Sequence, residues 1–431
     1  MSQYLNFVDL KYKPKKHSDL VVLFRFEPAK GISKKEAIGR VAAESSNGTW
    51  TTLSTLKPHI HKIRARAFEI KGDYVKIAYP MELFELGSIP QLVSSIAGNI
   101  FGMKAVKNLR LEDVNFPIKY VKSFKGPQYG IKGIRKYMKI KDRPMLATVP
   151  KPKVGLTTKE HTKVIYDSWI GGIDFAKDDE NLTSQKFNKF EDRVKAAARA
   201  RDKAEKETGE KKDYFINVSA ETKEMLKRTA LAKIYGFKYV MCDILTVGWA
   251  GLQSLRDETQ KQKLAIHAHR AFHAAFDRNP KHGMSMLAIA KLSRLIGVDN
   301  IHIGTVIGKL VGEKDNILTI EHEMVQQAEP HFKSKRHVLK QNWHGLKDVI
   351  PVSSGGLHPG ITPYIIKNLG KDIVLQAGGG IHGHPNGSKE GAAALRQSID
   401  ATLKKIPLKI YSKKHKELEV ALKKWGAEKP V

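Results

Sequence analysis

Hydrophobic and polar positions follow one arrangement up to about residue 125 and a different one after it. In the first part, β-branched and aromatic runs alternate with amphipathic ones, and Ser33 and Glu36 have the spacing of a capping box at a helix start. The predicted elements are a strand over 19–28, a helix over 33–45, a hairpin over 64–80, a helix over 88–102 and a strand at KNLRLEDV (107–114). This order predicts an α+β domain of the ferredoxin-like type over residues 1–125.

From about residue 143, short apolar runs alternate with helical stretches such as 190–209 and 285–297. The runs are continuously apolar, as expected for parallel strands that are buried on both faces. The predicted strands are 145–150, 171–177, 213–220, 237–245, 263–270, 300–306, 348–356 and 372–380. Eight strand–helix units predict a (β/α)8 TIM barrel, an α/β fold, over residues 126–431.

Composition and charge add two expectations. Hydrophobic residues make up 41% of the 431-residue chain, no apolar run is long enough to span a bilayer, and the N-terminal residues MSQYLNFVDLKYKPKK lack the apolar region of a signal peptide. We therefore expect a soluble, cytoplasmic protein without a membrane partner. The net charge of +31 raises the possibility of nucleic acid as a partner. The basic residues are spread along the chain without a nucleic-acid-binding motif, so this stays a remote alternative to steering of a small anionic substrate.

In a barrel of this kind, the chemistry lies on the loops that follow the C-terminal ends of the strands. Charged or glycine-rich residues follow six of the eight predicted strands. They are Lys151 and Lys153; Lys177, Asp178, Asp179 and Glu180; His267, His269, Arg270 and His273; His302; Ser353, Ser354, Gly355 and Gly356; and Gly378, Gly379 and Gly380. We expect these residues to meet at one end of the barrel.

The charged run after the second strand has two interpretations. Asp179 and Glu180 offer the hard oxygen ligands that Mg²⁺ prefers, and Lys177 shares a strand face with Asp179. An ammonium group cannot bind a metal ion, but an amine that captured CO2 would become a carbamate and a third oxygen ligand. The alternative is a solvated loop, and this is the interpretation that we give to Asp178.

The later strand ends also have two interpretations each. The glycine-rich turns after the last two strands could cradle a phosphate, with Arg270 and His302 at a second one, or be plain tight turns. The segment GTVIGKLVGEK (304–314) could be a hinged lid that carries Lys309, or a flexible surface loop.

Taken together, these motifs resemble the large chain of ribulose-1,5-bisphosphate carboxylase/oxygenase (RuBisCO). GGIDFAKDDENLTSQKF (171–187) is similar to the activator-lysine motif of that family, and GTVIGKLVGE (304–313) to its mobile lid loop. Further matches are AAESSNGTWTT (42–52), KPKVGL (151–156), HAHRAFHAAFDR (267–278), SSGGLHPG (353–360) and LQAGGGIHGHP (375–385). The resemblance covers essentially the whole chain and is strongest to archaeal form III or the form II/III group.

The resemblance implies Mg²⁺-dependent carboxylation of ribulose 1,5-bisphosphate to two 3-phosphoglycerate, with O2 competing against CO2. Lys177 would carry the activator CO2 as an N6-carboxylysine carbamate, bind Mg²⁺ with Asp179 and Glu180, and act as the base in enolisation. The implied catalytic residues are Lys151, Lys177, His269 and Lys309. The implied substrate-binding residues are Glu44, Thr49, Trp50, Asn99, Lys153, Arg270, His302, Ser354, Gly355, Gly356, Gly378 and Gly379.

The resemblance also implies an assembly. Glu44, Thr49, Trp50 and Asn99 would complete the active site of the neighbouring subunit, so a homodimer or a higher assembly of dimers is expected, without a small subunit. The same forms are associated with recycling the ribose of AMP. The residues Thr148-Val149-Pro150 before Lys151 depart from the plant-type pattern, so a threonine contact is not carried over. The nearest alternative is a RuBisCO-like enolase or isomerase that acts on a phosphorylated sugar.

Overall fold

The computed structural model describes residues 3–51, 53–307, 314–326 and 337–427. The chain forms two compact units. The first draws its described residues from Met1–Gly126, Phe272–Ile296 and Gln326–Leu346, and the second from Pro127–Ala271, Gly297–Val325 and Lys347–Val431. Residues 1–125 thus lie in the first unit together with two later segments that the sequence pattern predicts as part of the barrel domain.

The strands of the two units are numbered in chain order. They are β1 (Asp19–Pro28), β2 (Arg66–Lys71), β3 (Tyr74–Pro80), β4 (Val106–Asn115), β5 (Met145–Thr148), β6 (Phe175–Lys177), β7 (Asp213–Phe215), β8 (Tyr239–Asp243), β9 (Ala265–His269), β10 (Gly283–Met284), β11 (Asn300–Gly304), β12 (Ile350–Ser354) and β13 (Val374–Ala377).

The α-helices are numbered in the same way. They are α1 (Lys34–Glu44), α2 (Pro58–Lys62), α3 (Ile89–Ile96), α4 (Ile118–Val121), α5 (Gly130–Met138), α6 (Thr158–Ile170), α7 (Phe190–Thr208), α8 (Thr222–Ile234), α9 (Gly248–Gln262), α10 (His273–Asp277), α11 (Met286–Ile296), α12 (Lys314–Val325), α13 (Thr362–Leu369), α14 (Gly379–His382), α15 (Ser388–Leu403), α16 (Leu408–Tyr411) and α17 (Lys416–Trp425). Short 3-10 turns cover Gln3–Phe7, Met81–Leu83, Asn99–Gly102, Pro359–Ile361 and Ser412–Lys414.

The first unit is built on a sheet with the order β10-β4-β1-β3-β2. Strands β1 to β4 pair antiparallel in the arrangement that the sequence predicts for a ferredoxin-like domain, and α1 packs against β1 and β2. Strand β10 adds a parallel fifth strand next to β4, and α11 packs on β4. The hydrophobic pattern does not predict β10, because two residues are too few to form a repeat.

The second unit is the predicted barrel of eight parallel strands. Its order is β7-β6-β5-β13-β12-β11-β9-β8, and the backbone of Ile216 to Val218 bonds to Met241 on β8 and closes the ring. The strand residues that fill the interior, such as Phe175, Phe215 and Tyr239, belong to one buried apolar cluster. Burial of both strand faces explains why these runs are continuously apolar.

The predicted elements and the observed ones differ mainly in length. All eight predicted barrel strands are present, but each is shorter than its apolar run, and the third extends only over Asp213–Phe215. The predicted helix over 88–102 ends at Ile96 and is followed by a 3-10 turn from Asn99, because Gly98 between them leaves the helical conformation. Ser33 caps α1 as predicted, with its hydroxyl accepting a bond from the Glu36 N–H at 3.2 Å.

In the part of the chain that the structure describes, no helix combines the length and the apolar character needed to cross a membrane.

Candidate active site

Lys177 is the last residue of β6, and its side chain is only 1% exposed. Its ammonium Nζ donates to the backbone carbonyl of Asp178 at 2.7 Å. Burial lowers the pKa of Lys177 below the usual lysine value, although the carboxylates of Asp243, Glu180 and Asp179 oppose the shift. The strand end therefore holds an amine that is easier to deprotonate than a surface lysine, and the neutral amine is the form that reacts with CO2.

Two of the carboxylates that act on this amine are each paired with another lysine. Lys151 Nζ, from the loop after β5, is 2.6 Å from Asp179 Oδ2, and Lys153 Nζ is 2.9 Å from Glu180 Oε1. Burial raises the pKa of Asp179, and the neighbouring carboxyl of Glu180 adds to the rise. Burial also opposes ionisation of Glu180, but hydrogen bonds with Asp179 and Lys153 outweigh it and lower the Glu180 pKa. The pair therefore behaves as one acidic site held by cations.

The residues predicted to hold a metal ion fit that role in part. Asp179 Oδ1 is buried and has no hydrogen-bond partner in the described part of the chain, so one hard oxygen is left available beside Glu180. No group of three His, Cys, Asp or Glu side chains suited to a metal ion exists among the described residues. Mg²⁺ held by these two carboxylates would take its remaining oxygens from water, from a bound ligand or from a modified Lys177.

Asp178 does not lie in a solvated loop, so that prediction is wrong. Its side chain is fully buried, and Arg193 Nε from α7 is 3.1 Å from Oδ1. The Tyr214 hydroxyl donates to Oδ1, and the Asn217 backbone N–H donates to Oδ2 at 2.9 Å. Asp178 lies between Lys177 and Asp179 in sequence, so these contacts fix the position of the backbone that carries both residues.

His269, at the end of β9, has a carboxylate on one ring nitrogen. Its Nδ1 lies 2.6 Å from Asp243 Oδ1 at the end of β8, and its Nε2 lies 3.9 Å from Glu180 Oε2. Burial lowers the His269 pKa, and the positive charge of Lys177 lowers it further, while Asp243 opposes the shift. A neutral His269 donates from Nδ1 to Asp243 and leaves Nε2 free to accept a proton.

His302 on β11 connects the histidines to Ser354. Its Nδ1 is 2.8 Å from Ser354 Oγ on β12, and its Nε2 is 2.9 Å from Nε2 of His267. The rings of His302 and His269 are 4.8 Å apart. Burial and the neighbouring histidines lower the pKa of His302 well below the usual value. Several strand ends therefore meet in one continuous set of contacts, here called the strand-end cluster: Lys151, Lys153, Asp179, Glu180, Asp243, His269, His302 and Ser354. The carboxylates of this cluster act on the buried amine of Lys177 through their charge.

Glycines next to this cluster keep space open for backbone contacts. A Cβ on Gly304 would lie 2.8 Å from Nη2 of Arg270, so the guanidinium lies directly against that glycine. Gly355 and Gly356, after β12, have φ values of +114° and +74°, which few other residues adopt. A Cβ on Gly378 would come 3.0 Å from Cε of Lys151, so the turn after β13 is close to the lysine.

The chain matches two family models that together span most of it. The model described as ribulose bisphosphate carboxylase large chain, catalytic domain, matches residues 130–425, and the corresponding N-terminal domain matches residues 6–120. This chain belongs to the RuBisCO large-chain family. It is therefore an enzyme of the carboxylase class.

Individual relatives match over nearly their full length. A ribulose bisphosphate carboxylase of Pyrococcus abyssi is 51% identical over 431 residues, covering 99% of this chain and 98% of the relative. A structure described as a dimeric archaeal Rubisco from Hyperthermus butylicus has a TM-score of 0.94 and 50% identity, covering 99% of this chain and all of that one. An octameric Rubisco from Pyrococcus horikoshii, solved with sulfate, has a TM-score of 0.92 and 48% identity over 99% and 98% of the two chains.

The RuBisCO resemblance also named residues in the first unit. Glu44 and Asn99 come together there, with Asn99 Nδ2 donating to Glu44 Oε1 at 3.3 Å. The backbone carbonyl of Thr49 accepts from Gln3, and the Trp50 side chain is 82% exposed. An indole this exposed is unusual for a large apolar side chain and suits a residue that packs against something outside its own unit. Lys309 lies outside the described residues.

Two residues of this candidate site, Asp243 and Asn217, were not predicted from the sequence. Asp243 closes the apolar run of β8 and fixes His269, and the Asn217 side chain donates to the Glu180 carbonyl at 3.1 Å. Both lie inside predicted strands, Asn217 in 213–220 and Asp243 in 237–245, and not in the residues that follow them. The signal for Asp243 is a carboxylate near the end of an apolar run, and the observed β8 does end at this residue. Asn217 has no comparable signal, because asparagine after a strand is also common in ordinary turns.

Proposed function

We propose that this protein is a Mg²⁺-dependent ribulose 1,5-bisphosphate carboxylase that is activated when the Lys177 amine takes up CO2. The observation that carries the proposal is the state of Lys177, which is buried and depressed in pKa and whose Nζ bonds, among the described residues, only to a backbone carbonyl. Burying a lysine without an ion pair is costly. Conversion of the amine to a carbamate removes the positive charge and adds a negative one beside the available oxygen of Asp179.

The metal would be held by the Lys177 carbamate, Asp179 and Glu180. When bound, Mg²⁺ supplies a positive charge that polarises the oxygens of a bound substrate. The lysines that now pair with these carboxylates, Lys151 and Lys153, hold the acidic groups together in the absence of that charge. With a cation held by these carboxylates, the ammonium groups of Lys151 and Lys153 would be available for contacts with an anionic substrate.

The proton transfers are assigned to three groups. The carbamate of Lys177 takes the proton whose removal enolises the substrate, as the family resemblance implies. Lys151 Nζ lies 2.6 Å from Asp179, a carboxylate of the proposed metal site, and transfers a proton near the reacting carbons. His269 is fixed by Asp243, so its free Nε2 faces Glu180 and can accept a hydroxyl proton of the substrate. CO2 addition, hydration and carbon–carbon cleavage then give two 3-phosphoglycerate, with O2 as a competing reactant.

The two phosphates are assigned to two groups of residues. Arg270, His302 and Ser354 would bind one, and the backbone at Gly355, Gly356, Gly378 and Gly379 would contact the substrate and the other. The support is the close approach of Arg270 to Gly304 and the positive φ angles after β12. Lys309 is assigned to the carboxylate formed from CO2.

The assembly is proposed to be a homodimer, or a higher assembly of dimers, with shared active sites. Glu44, Thr49, Trp50 and Asn99 of one subunit would complete the site of the other. The contact of Asn99 with Glu44 and the exposure of Trp50 support this, as do the dimeric and octameric states named for the two solved archaeal relatives. The AMP-derived ribose bisphosphates are the proposed metabolic source of substrate, and no small subunit is expected.

One assay tests the proposal. The protein is incubated with CO2 and Mg²⁺ and then supplied with ribulose 1,5-bisphosphate and labelled bicarbonate, and we expect labelled 3-phosphoglycerate. Formation of an enolised or isomerised sugar phosphate without labelled product would favour the RuBisCO-like enolase or isomerase instead. Absence of both products over a range of pH would rule out the proposal.

A further inference from the structure

Behind the phosphate-binding pair of His302 and Ser354 lies a third side chain to which the proposed mechanism gives no role. His267, in the middle of β9, is fully buried, and its Nε2 is 2.9 Å from Nε2 of His302. Its ring stacks on Phe215 with centroids 4.0 Å apart and an angle of 14° between the planes. Packing against the barrel core therefore fixes where the His267 nitrogens point.

A contact between two imidazole nitrogens requires a single proton between them. Burial lowers the pKa of His267 and of His302 well below the usual value, so both rings are neutral. Each neutral ring has one N–H and one bare nitrogen. Either His267 donates to His302, or His302 donates to His267, and the choice fixes what His302 Nδ1 offers to Ser354.

The two ends of this series of hydrogen bonds, from His267 through His302 to Ser354, favour the same direction of donation. At one end, Nδ1 of His267 is buried without a hydrogen-bond partner in the described structure. A buried N–H without an acceptor is rare, so His267 Nδ1 is the bare nitrogen and its Nε2 carries the proton. His302 then accepts on Nε2 and donates from Nδ1 to Ser354 Oγ, 2.8 Å away.

At the other end, an ionised phosphate can only accept hydrogen bonds. Ser354 has one hydroxyl proton and can donate it to a phosphate only if it does not donate it to His302. A His302 Nδ1 that carries a proton donates to Ser354 Oγ and leaves the serine proton for the phosphate. We infer that His267 is a positioning residue that sets the direction of hydrogen bonds through His302 and thereby makes Ser354 a donor to an anionic substrate group. This inference rests on the proposed function, since it takes Ser354 as part of the substrate site.

The test compares two substitutions of His267. His267→Gln keeps an N–H donor near the position of Nε2, whereas His267→Phe keeps a flat ring on Phe215 and removes the donor. Since a hydrogen bond to a charged group is worth about 1.5–3 kcal/mol, His267→Phe should raise the KM for ribulose 1,5-bisphosphate about tenfold or more. His267→Gln should recover most of that loss, and kcat should change less than KM in both.

Two controls separate positioning from general damage. His384→Phe removes another buried histidine of the second unit, whose Nε2 bonds to the backbone carbonyl of Glu417 at 3.0 Å, and it should leave KM nearly unchanged. In a double-mutant cycle, Ser354→Ala and His267→Phe should be strongly non-additive in KM. Equal losses in the Phe and Gln variants, or additive effects with Ser354→Ala, would overturn the inference.

A measurement on the unaltered protein covers the case in which His267→Phe does not fold. With 15N-labelled histidine and ribulose 1,5-bisphosphate bound without activator CO2, His267 should be protonated on Nε2 and His302 on Nδ1. The opposite tautomers would overturn the inference. Because this readout needs no turnover, it is independent of whether labelled 3-phosphoglycerate is formed, which tests the proposed function alone.

Discussion

Two buried lysines, one in each unit, show how the same side chain serves different ends. Lys291 on α11 is fully buried, with its Nζ 2.7 Å from Asp113 Oδ1 and bonded to two backbone carbonyls, those of Val114 and Leu339. Lys177 is buried to nearly the same extent, but within the described part of the chain its Nζ bonds only to the carbonyl of Asp178. The first is a matched ion pair that joins segments of one unit, and the second is an uncompensated amine.

Lys177 and Lys291 differ in whether the acidic side chains around them are available as ion-pair partners. The three carboxylates that act most strongly on Lys177 through their charge each have another partner: Asp243 has His269, Glu180 has Lys153 and Asp179 has Lys151. Asp178, the adjacent residue in sequence, is held by Arg193. A buried lysine whose neighbouring acids are already engaged has a depressed pKa and stays reactive, whereas a paired one is structural.

The largest expected effect is on activity at Lys177. Lys177→Met removes the amine that takes up CO2, so labelled 3-phosphoglycerate should fall to the background level of the assay. The free energy of unfolding should stay the same or rise, because an uncompensated buried amine is replaced by an apolar side chain of similar length. Urea denaturation measures stability, and residual carboxylation well above background would mean that Lys177 is not the activator.

The opposite effect on stability is expected at Lys291. Lys291→Met leaves Asp113 buried without its cation and should lower the free energy of unfolding by about 3–5 kcal/mol, as measured by urea denaturation. The double variant Lys291→Met/Asp113→Leu should regain part of that loss, because no uncompensated charge remains. If Lys291→Met were no less stable than the parent protein, the contrast between the two lysines would fail.

A smaller loss of stability is expected at Asp178. Asp178→Asn removes the charge that compensates the buried guanidinium of Arg193, and we expect a loss of about 2–4 kcal/mol. Carboxylation should decrease less than in Lys177→Met, since Asp178 holds the backbone and not the substrate. A variant of unchanged stability that had lost all activity would instead assign Asp178 to the chemistry.

The smallest expected effect is on how the free energy of unfolding depends on pH. The pKa of Lys177 is lowered in the folded protein, so between that pKa and the ordinary lysine value the unfolded chain binds more protons, and stability rises with pH. The rise amounts to about 1.4 kcal/mol for each pH unit between the two pKa values. Lys177→Met should lack it when both proteins are unfolded in CO2-free buffer. Parallel stability curves would show that the Lys177 pKa is not depressed.

The same depressed pKa bears on activation. Only the neutral amine takes up CO2, so the rate of activation should increase with pH and reach its plateau below the pH at which an exposed lysine loses its proton. This can be followed by adding CO2 at a series of pH values and assaying at one fixed pH.

Much of the barrel and of its site follows from the pattern of residues along the chain. The eight apolar runs predicted the barrel, and the rule that chemistry follows strand ends brought Lys177, Asp179, His269 and His302 into one hypothesis. The prediction for Asp178 failed because a run of charged residues does not show which carboxylate turns inward to meet Arg193. The placement of 272–296 with the first unit was also missed, since its helix has the ordinary pattern of a barrel helix.

The sequence by itself determined the fold class, the family and the residues that gather at the strand ends, because hydrophobic periodicity and motif spacing are local properties of the chain. Tertiary structure alone decided which polar side chains are paired. Lys151 with Asp179, His267 with His302 and Asp243 with His269 are each at least 26 residues apart in sequence. Their ionisation depends on burial and on distances between strands, and neither is encoded in the spacing of any single motif.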